Sequence, residues 1–158
     1  MKVEYINPFI TAASQAFQTM LGHEIRRGVP VLKEDADLQF EISGVIGLSG
    51  SAVGTVVLSF SENVALQAAG TMLMMEMTEI NADVIDAVGE LTNMVAGAAK
   101  AQLEHLQLSI SLPNVITGKG HEVRFPSNVR PIVIPFDSDW GPLTLEVGLS
   151  DVPAAVLV

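Results

Sequence analysis

Residues 40–60 read FEISGVIGLSGSAVGTVVLSF, and they decide the fold class. Two strand-like runs, Phe40 to Leu48 and Val53 to Phe60, flank Ser49-Gly50-Ser51, the arrangement of a β-hairpin. The apolar stretch from Val45 to Phe60 is broken by Gly47, Ser49, Gly50, Ser51 and Gly54, so it is not a membrane span. A second hairpin is expected near the end of the chain: Arg130 to Phe136, a turn through Asp137 to Pro142, then Leu143 to Leu149. One short strand around Ser109 to Leu112 sits in an otherwise irregular segment from Gln107 to Asn128.

Helical patterns precede each hairpin. Asn7-Pro8 reads as an N-cap with proline at the first helical position, and Phe9, Ala13, Ala16, Phe17, Met20 and Leu21 follow at helical spacing up to a stop at Gly22. An irregular charged stretch runs from His23 to Asp37. Ser61 caps a second helix, Glu62 to about Met75. Thr78 or Asn81 opens a longer helix to about Leu106, with Ile85, Val88, Thr92, Val95, Ala99, Leu103 and Leu106 as its core stripe. Each half therefore offers a long helix, an irregular connector and a hairpin. The whole indicates an α+β fold with a mainly antiparallel sheet, a single domain over residues 1–158, and a rough internal duplication. No element is assigned to Asp151 to Val158.

Composition narrows the function. Hydrophobic residues make up 49% of the 158 and aromatics only 5%, so a core is affordable and must be aliphatic. The formal net charge is -10 with only eight Lys and Arg, which argues against nucleic acid and against anionic membrane surfaces. It favours a partner with a positive patch. With no cysteine, disulfides, thiolate catalysis and Cys-based zinc sites are excluded. The N-terminal residues lack the apolar run of a signal peptide, so a cytoplasmic protein is expected. His23, His105 and His121 are too scattered for a metal site, and His105 is expected to serve the C-terminal dipole of the long helix. Gly44, Gly47, Gly50 and Gly54 lack the Lys-Ser/Thr ending of a phosphate loop, and hairpin geometry accounts for them.

Glu90-Leu91-Thr92-Asn93 is the candidate for chemistry; on spacing alone, two solvated helix residues are the competing and commoner reading. Helical geometry sets Glu90 and Asn93 roughly 60° apart around the axis and about 4.5 Å apart along it, a carboxylate beside a carboxamide on one face. Gly97 lies one turn further on. Asn93 does not titrate near neutral pH, but its amide both accepts and donates, the equipment for holding a water in line with a reacting centre. Such positioning is sufficient catalysis where the bond to be broken is already activated, as in phosphoryl transfer. Two helical glycines, Gly89 and Gly97, each cost about 1 kcal/mol relative to alanine. Their compensation is either close packing within the domain or close approach of a partner.

The segment Glu90-Leu91-Thr92-Asn93-Met94-Val95-Ala96-Gly97, preceded by Asp86, resembles the signature of the CheC/CheX chemotaxis phosphatases. The likeness extends to Asn7-Pro8-Phe9-Ile10, Met20-Leu21-Gly22, Leu103-Glu104-His105-Leu106 and Pro113-Asn114-Val115-Ile116-Thr117-Gly118, and so spans nearly the whole chain. It favours the CheX branch, which keeps one Glu/Asn site where CheC proteins generally have two. The resemblance implies hydrolysis of the aspartyl phosphate on a CheY-type response regulator. Asn93 would orient the attacking water, Glu90 would dock a regulator lysine, and Asp86, Met94 and Gly97 would face the partner. It implies no metal or cofactor in this chain, Mg2+ on the regulator instead, and a homodimer. Pro113 follows Asn93 more closely than the family pattern places its proline, so no role is assigned to it.

Two rival functions follow from the same residues. A module that binds a regulator without hydrolysis would keep the docking face, but loss of Glu90 or Asn93 would be its expected mark. An enzyme on small phosphoesters would need a phosphate loop, metal cluster or cationic pocket, none of which the sequence offers. Glu4-Tyr5-Ile6-Asn7 repeats the Glu-x-x-Asn spacing, but with Asn7 as a cap before Pro8, Glu4 is expected to lie outside the helix. One site per chain is the reading.

Overall fold

The computed structural model describes residues 1–36 and 40–153. The irregular stretch predicted to reach Asp37 therefore ends partly outside the described residues, as do residues 154–158. The elements run α1 (Val3–Leu21), β1 (Arg26–Arg27), β2 (Val31–Leu32), β3 (Ile42–Ser49), β4 (Ala52–Phe60), α2 (Glu62–Leu73), α3 (Ala82–Ala101), β5 (Ser109–Ile110), β6 (Asn114–Thr117), β7 (Ile132–Asp137) and β8 (Leu143–Asp151). The sheet order is β1-β7-β8-β4-β3-β5, with β2 also on β7 and β6 also on β3, and every pairing is antiparallel. The two hairpins are thus joined through β4 and β8, paired over nine residues from Ala52↔Asp151 to Phe60↔Leu143. This is the expected α+β architecture with its duplicated helix-plus-hairpin halves.

Strand alternation assigns the two faces of the sheet. Ile42, Ile46, Val56, Leu58, Phe60, Leu143, Leu145 and Val147 join the core with Phe9, Phe17, Val64, Val88, Leu91 and Val95 of the helices. Phe17 of α1 stacks obliquely on Phe60 with ring centroids 6.0 Å apart. On the opposite face lie Ser43, Ser59, Glu146 and Gly148, under the connector between β6 and β7. There His121 bonds Ser43 at 2.6 Å, and Ser43 bonds Ser59 at 2.6 Å. A Cβ on Gly148 would lie only 2.6 Å from Val129 and 2.8 Å from Phe125, so glycine is what lets the connector lie flat. Glu146 pairs with Lys33; burial raises its carboxyl above the ordinary range, and the ammonium draws it partly back.

Several expected boundaries move. α1 begins at Val3, so Pro8 lies inside it and Asn7 is not its cap. Burial of Tyr5 and Phe9 against the core holds the first turn in helical form. Proline at this sixth helical position removes only the one hydrogen bond that would run to the Glu4 carbonyl. Of the two proposed openings of α3, Asn81 is the cap: its side chain accepts from the Val84 N–H at 3.1 Å. α3 stops at Ala101 rather than Leu106, because Glu104–Leu106 tightens into a 3-10 turn that ends at Gln107 in the left-handed region. His105 is therefore off the helix, and Lys100 is the basic residue of its last turn. The short strands β1, β2 and β6 arise in stretches read as irregular; with two to four residues each, pairing with β7 or β3 creates them rather than their own pattern. Of the four hairpin glycines only Gly50, at φ 157°, sits in the turn. Gly44, Gly47 and Gly54 lie within strands, and a Cβ on Gly54 would overlap the Gly148 carbonyl. No helix among the described residues is long and apolar enough to cross a membrane.

The first helix is tied to the end of β8 by a polar cluster. Lys2 Nζ lies 2.8 Å from Asp151, and the Tyr5 hydroxyl donates to the same carboxylate at 2.5 Å. These hydrogen bonds, Lys2 first, hold the Asp151 carboxyl below its ordinary range. A depressed carboxylate contributes stability above its unfolded pKa and loses it as pH falls through the folded value. Asp151→Asn is therefore expected to lower Tm at pH 7, with the difference from the parent shrinking as pH approaches about 3. A difference that stays constant across thermal melts from pH 7 to 3 would contradict this.

Candidate active site

The site is built on α3. Its underside is apolar and buried: Val84, Ala87, Val88, Leu91, Thr92, Val95, Ala96 and Ala99. That burial fixes which way the polar residues point. Asp86, Glu90, Asn93 and Gly97 follow at intervals of four, three and four residues, a stripe about 60° wide and about 16 Å long. Asp86 and Glu90 are exposed, while Asn93 and Gly97 are half-buried. Met94, also half-buried, borders the stripe and packs against the core edge. Among the described residues, no side-chain hydrogen bond or ion pair engages Asp86, Glu90 or Asn93. The carboxylate and the carboxamide are presented without an internal partner.

The two glycines of α3 separate cleanly. A Cβ on Gly89 would lie 3.5 Å from Val115 and 3.7 Å from Pro113, ordinary contact with β6 and the residue before it. Gly89 belongs to internal packing, and Pro113, unassigned from sequence, is a flank of the site. A Cβ on Gly97 would meet nothing within 4 Å. No contact among the described residues accounts for glycine there. What sequence reasoning missed is the contact beneath the site: a Cβ on Gly44 of β3 would overlap Thr92 Oγ1 and lie 2.8 Å from Thr92 Cβ. The signal was available, since glycine inside a strand marks close approach of another backbone.

Glu4 and Asn7 require a correction. Because α1 starts at Val3, both are helical, three residues apart and exposed. The pair thus has the spacing of Glu90 and Asn93, but Pro8 follows it directly and the next turn offers Thr11 where α3 offers Gly97. The other candidates have structural partners. His23 stacks on Trp140 with ring centroids 4.1 Å apart, and the His121 ring also lies 2.6 Å from the Gly118 carbonyl.

The family described as Chemotaxis phosphatase CheX matches residues 42–137, a segment that holds β3, β4, all of α2 and α3, and β7. The chain belongs to the chemotaxis phosphatase CheX family. The CheX chemotaxis protein of Vibrio vulnificus is 33% identical, with a TM-score of 0.88 over 94% of this chain and 100% of that one. The CheY-P phosphatase CheX of Thermotoga maritima is 29% identical over 127 residues, 78% of this chain and 82% of that protein. A CheX-CheY-BeF3-Mg2+ complex from Borrelia burgdorferi contains a chain with the same fold, at 24% identity and a TM-score of 0.82, over 95% of this chain and 100% of that one. The CheX match encloses the whole Asp86–Gly97 stripe, whereas Glu4 and Asn7 fall outside it.

Because Gly97 has open space at its Cβ, Gly97→Ala is expected to stabilise the isolated protein by up to about 1 kcal/mol through helix propensity alone. Denaturant unfolding checks this, and a loss of stability would reveal a contact that open space excludes.

Proposed function

We propose that this chain hydrolyses the aspartyl phosphate of a CheY-type response regulator. The observation that carries the proposal is the Glu90–Asn93 pair on the outer face of α3, without a partner among the described residues, beside a glycine whose Cβ position none of them approaches. A rigid helix face suits entry into a partner's cleft better than enclosure of a small molecule. Membership of the CheX family and the relative named a CheY-P phosphatase support the same reading.

In this mechanism Glu90 pairs with a lysine of the regulator and fixes the register of docking. The Asn93 carboxamide enters the regulator's phosphorylation site, accepts a hydrogen bond from a water and donates through its nitrogen, holding the water in line with phosphorus. The water oxygen bonds to phosphorus as the bond from phosphorus to the aspartyl oxygen breaks. The carboxylate leaves with that electron pair, and the proton lost by water ends on the released phosphate. Mg2+ is assigned to the regulator, where it would offset charge on the phosphoryl oxygens. Asp86, Gly97 and Met94 complete the docking face, with Gly97 admitting the partner's backbone. We assign the protein one such site per chain and, through an open sheet edge such as β6, a homodimer.

Removing the carboxamide takes away positioning and little binding. Asn93→Ala is expected to slow phosphate release roughly a hundredfold or more, about 2.7 kcal/mol of barrier, with KM little changed. Glu90→Ala should chiefly raise KM, and Gly97→Ala should lose turnover despite its gain in stability. Asn7→Ala should behave as the parent. Steady-state kinetics on a phosphorylated regulator separate these cases. An Asn93→Ala protein with full activity would refute the mechanism, and loss on Asn7→Ala would move the site to α1.

A further inference from the structure

Resting on the hydrolase reading above, we infer that Gly44 and Thr92 are positioning residues. The missing side chain of Gly44 lets Thr92 seat the Glu90–Asn93 turn on β3 at the depth and roll that aim the carboxamide. Thr92 lies about 200° around the helix from Glu90, on the underside of the site. It is fully buried, and its Oγ1 donates to the Val88 carbonyl at 2.7 Å. A Cβ on Gly44 would overlap that oxygen and come within 2.8 Å of Thr92 Cβ and 3.2 Å of Cγ2, so helix and strand meet with no atom to spare.

The same rung of the sheet also holds the turn from its side. Gly44 is the register partner of Val115 on β6, and Val115 is the residue across from α3 that a Cβ on Gly89 would meet first, at 3.5 Å. Gly89 and Asn93 are four residues apart and share a flank of α3. The turn from Gly89 to Asn93 is therefore held from below by Gly44 and from one side by Val115, while Glu90 and Asn93 stay open outward. A side chain at position 44 must either lift this turn or drive Thr92 out of its rotamer and off the Val88 carbonyl. Lifting the turn moves Glu90 and Asn93 together relative to the Pro113–Val115 flank, and loss of the Thr92 bond to the Val88 carbonyl loosens the turn that carries them. Misplacement by about 1 Å is enough to cost about a hundredfold in rate where orientation is the catalysis.

The test is steady-state phosphate release from an acyl-phosphorylated response regulator, with rates normalised to folded protein by circular dichroism. Gly44→Ala is expected to lower kcat by about tenfold or more with KM within about threefold, the signature of lost aim rather than lost docking. Thr92→Ala removes the oxygen and methyl that a new Cβ would strike but keeps the Thr92 Cβ at 2.8 Å, so it should restore part of that kcat in the Gly44→Ala/Thr92→Ala double variant. Folded Gly44→Ala with the parent's kcat would overturn the proposal, as would a double variant no faster than Gly44→Ala alone. If Gly44→Ala does not fold, the comparison passes to Thr92→Ala, whose loosened seat should lower kcat severalfold at unchanged KM; the parent's kcat there would overturn the proposal as well. A parent protein that releases no phosphate at all would instead refute the hydrolase reading.

Discussion

The packing of α3 onto β3, between that strand and the other two helices, is the constraint on which the rest of the molecule depends. Val88, Leu91, Thr92 and Val95 are fully buried, and they hold the helix in one rotational setting over β3 and β4. Because the helix advances about 100° per residue, fixing that apolar arc also fixes the outward arc that bears Asp86, Glu90, Asn93 and Gly97. Core packing and site geometry are thus one decision. A substitution under the helix acts on the chemistry above it, and nothing on the outer face needs an internal partner to stay in place.

In the proposed mechanism the phosphoryl group, its metal and its activated bond belong to the regulator, and this chain would supply a rigid carboxamide and a docking carboxylate. Rigidity is the contribution that a loop could not make. The acidic balance of the chain is consistent with a partner that presents lysine. From Glu34 to Ala99 no Lys, Arg or His occurs, so the segment that carries α2 and the site bears charge of one sign. Such a field would speed encounter with a basic surface and weaken as salt rises.

Much of this was legible in the sequence because long elements carry strong patterns. The β3–β4 and β7–β8 hairpins announce themselves by apolar runs around polar turns, and α3 by its 3.6-residue stripe. Glu90, Asn93 and Gly97 fall on one face by spacing alone, with Asp86 in line one turn earlier and Met94 at the border. What failed did so for local physical reasons. The proline rule misplaced the start of α1, since tertiary burial of Tyr5 and Phe9 outweighs one missing hydrogen bond. The strands of two to four residues exist only through their partners, and no single-chain pattern encodes a partner. Gly44 was read as a hairpin glycine because the chain does not display the threonine that lies across from it in space.

The most direct measurement is the lifetime of the acyl phosphate on a labelled CheY-type regulator when this protein is added well below stoichiometric amount. The account predicts that each molecule clears many regulators, with a rate that scales with the amount of protein added. A phosphate lifetime left unchanged, or lengthened as the protein titrates the regulator one to one, would contradict it and leave a binding module.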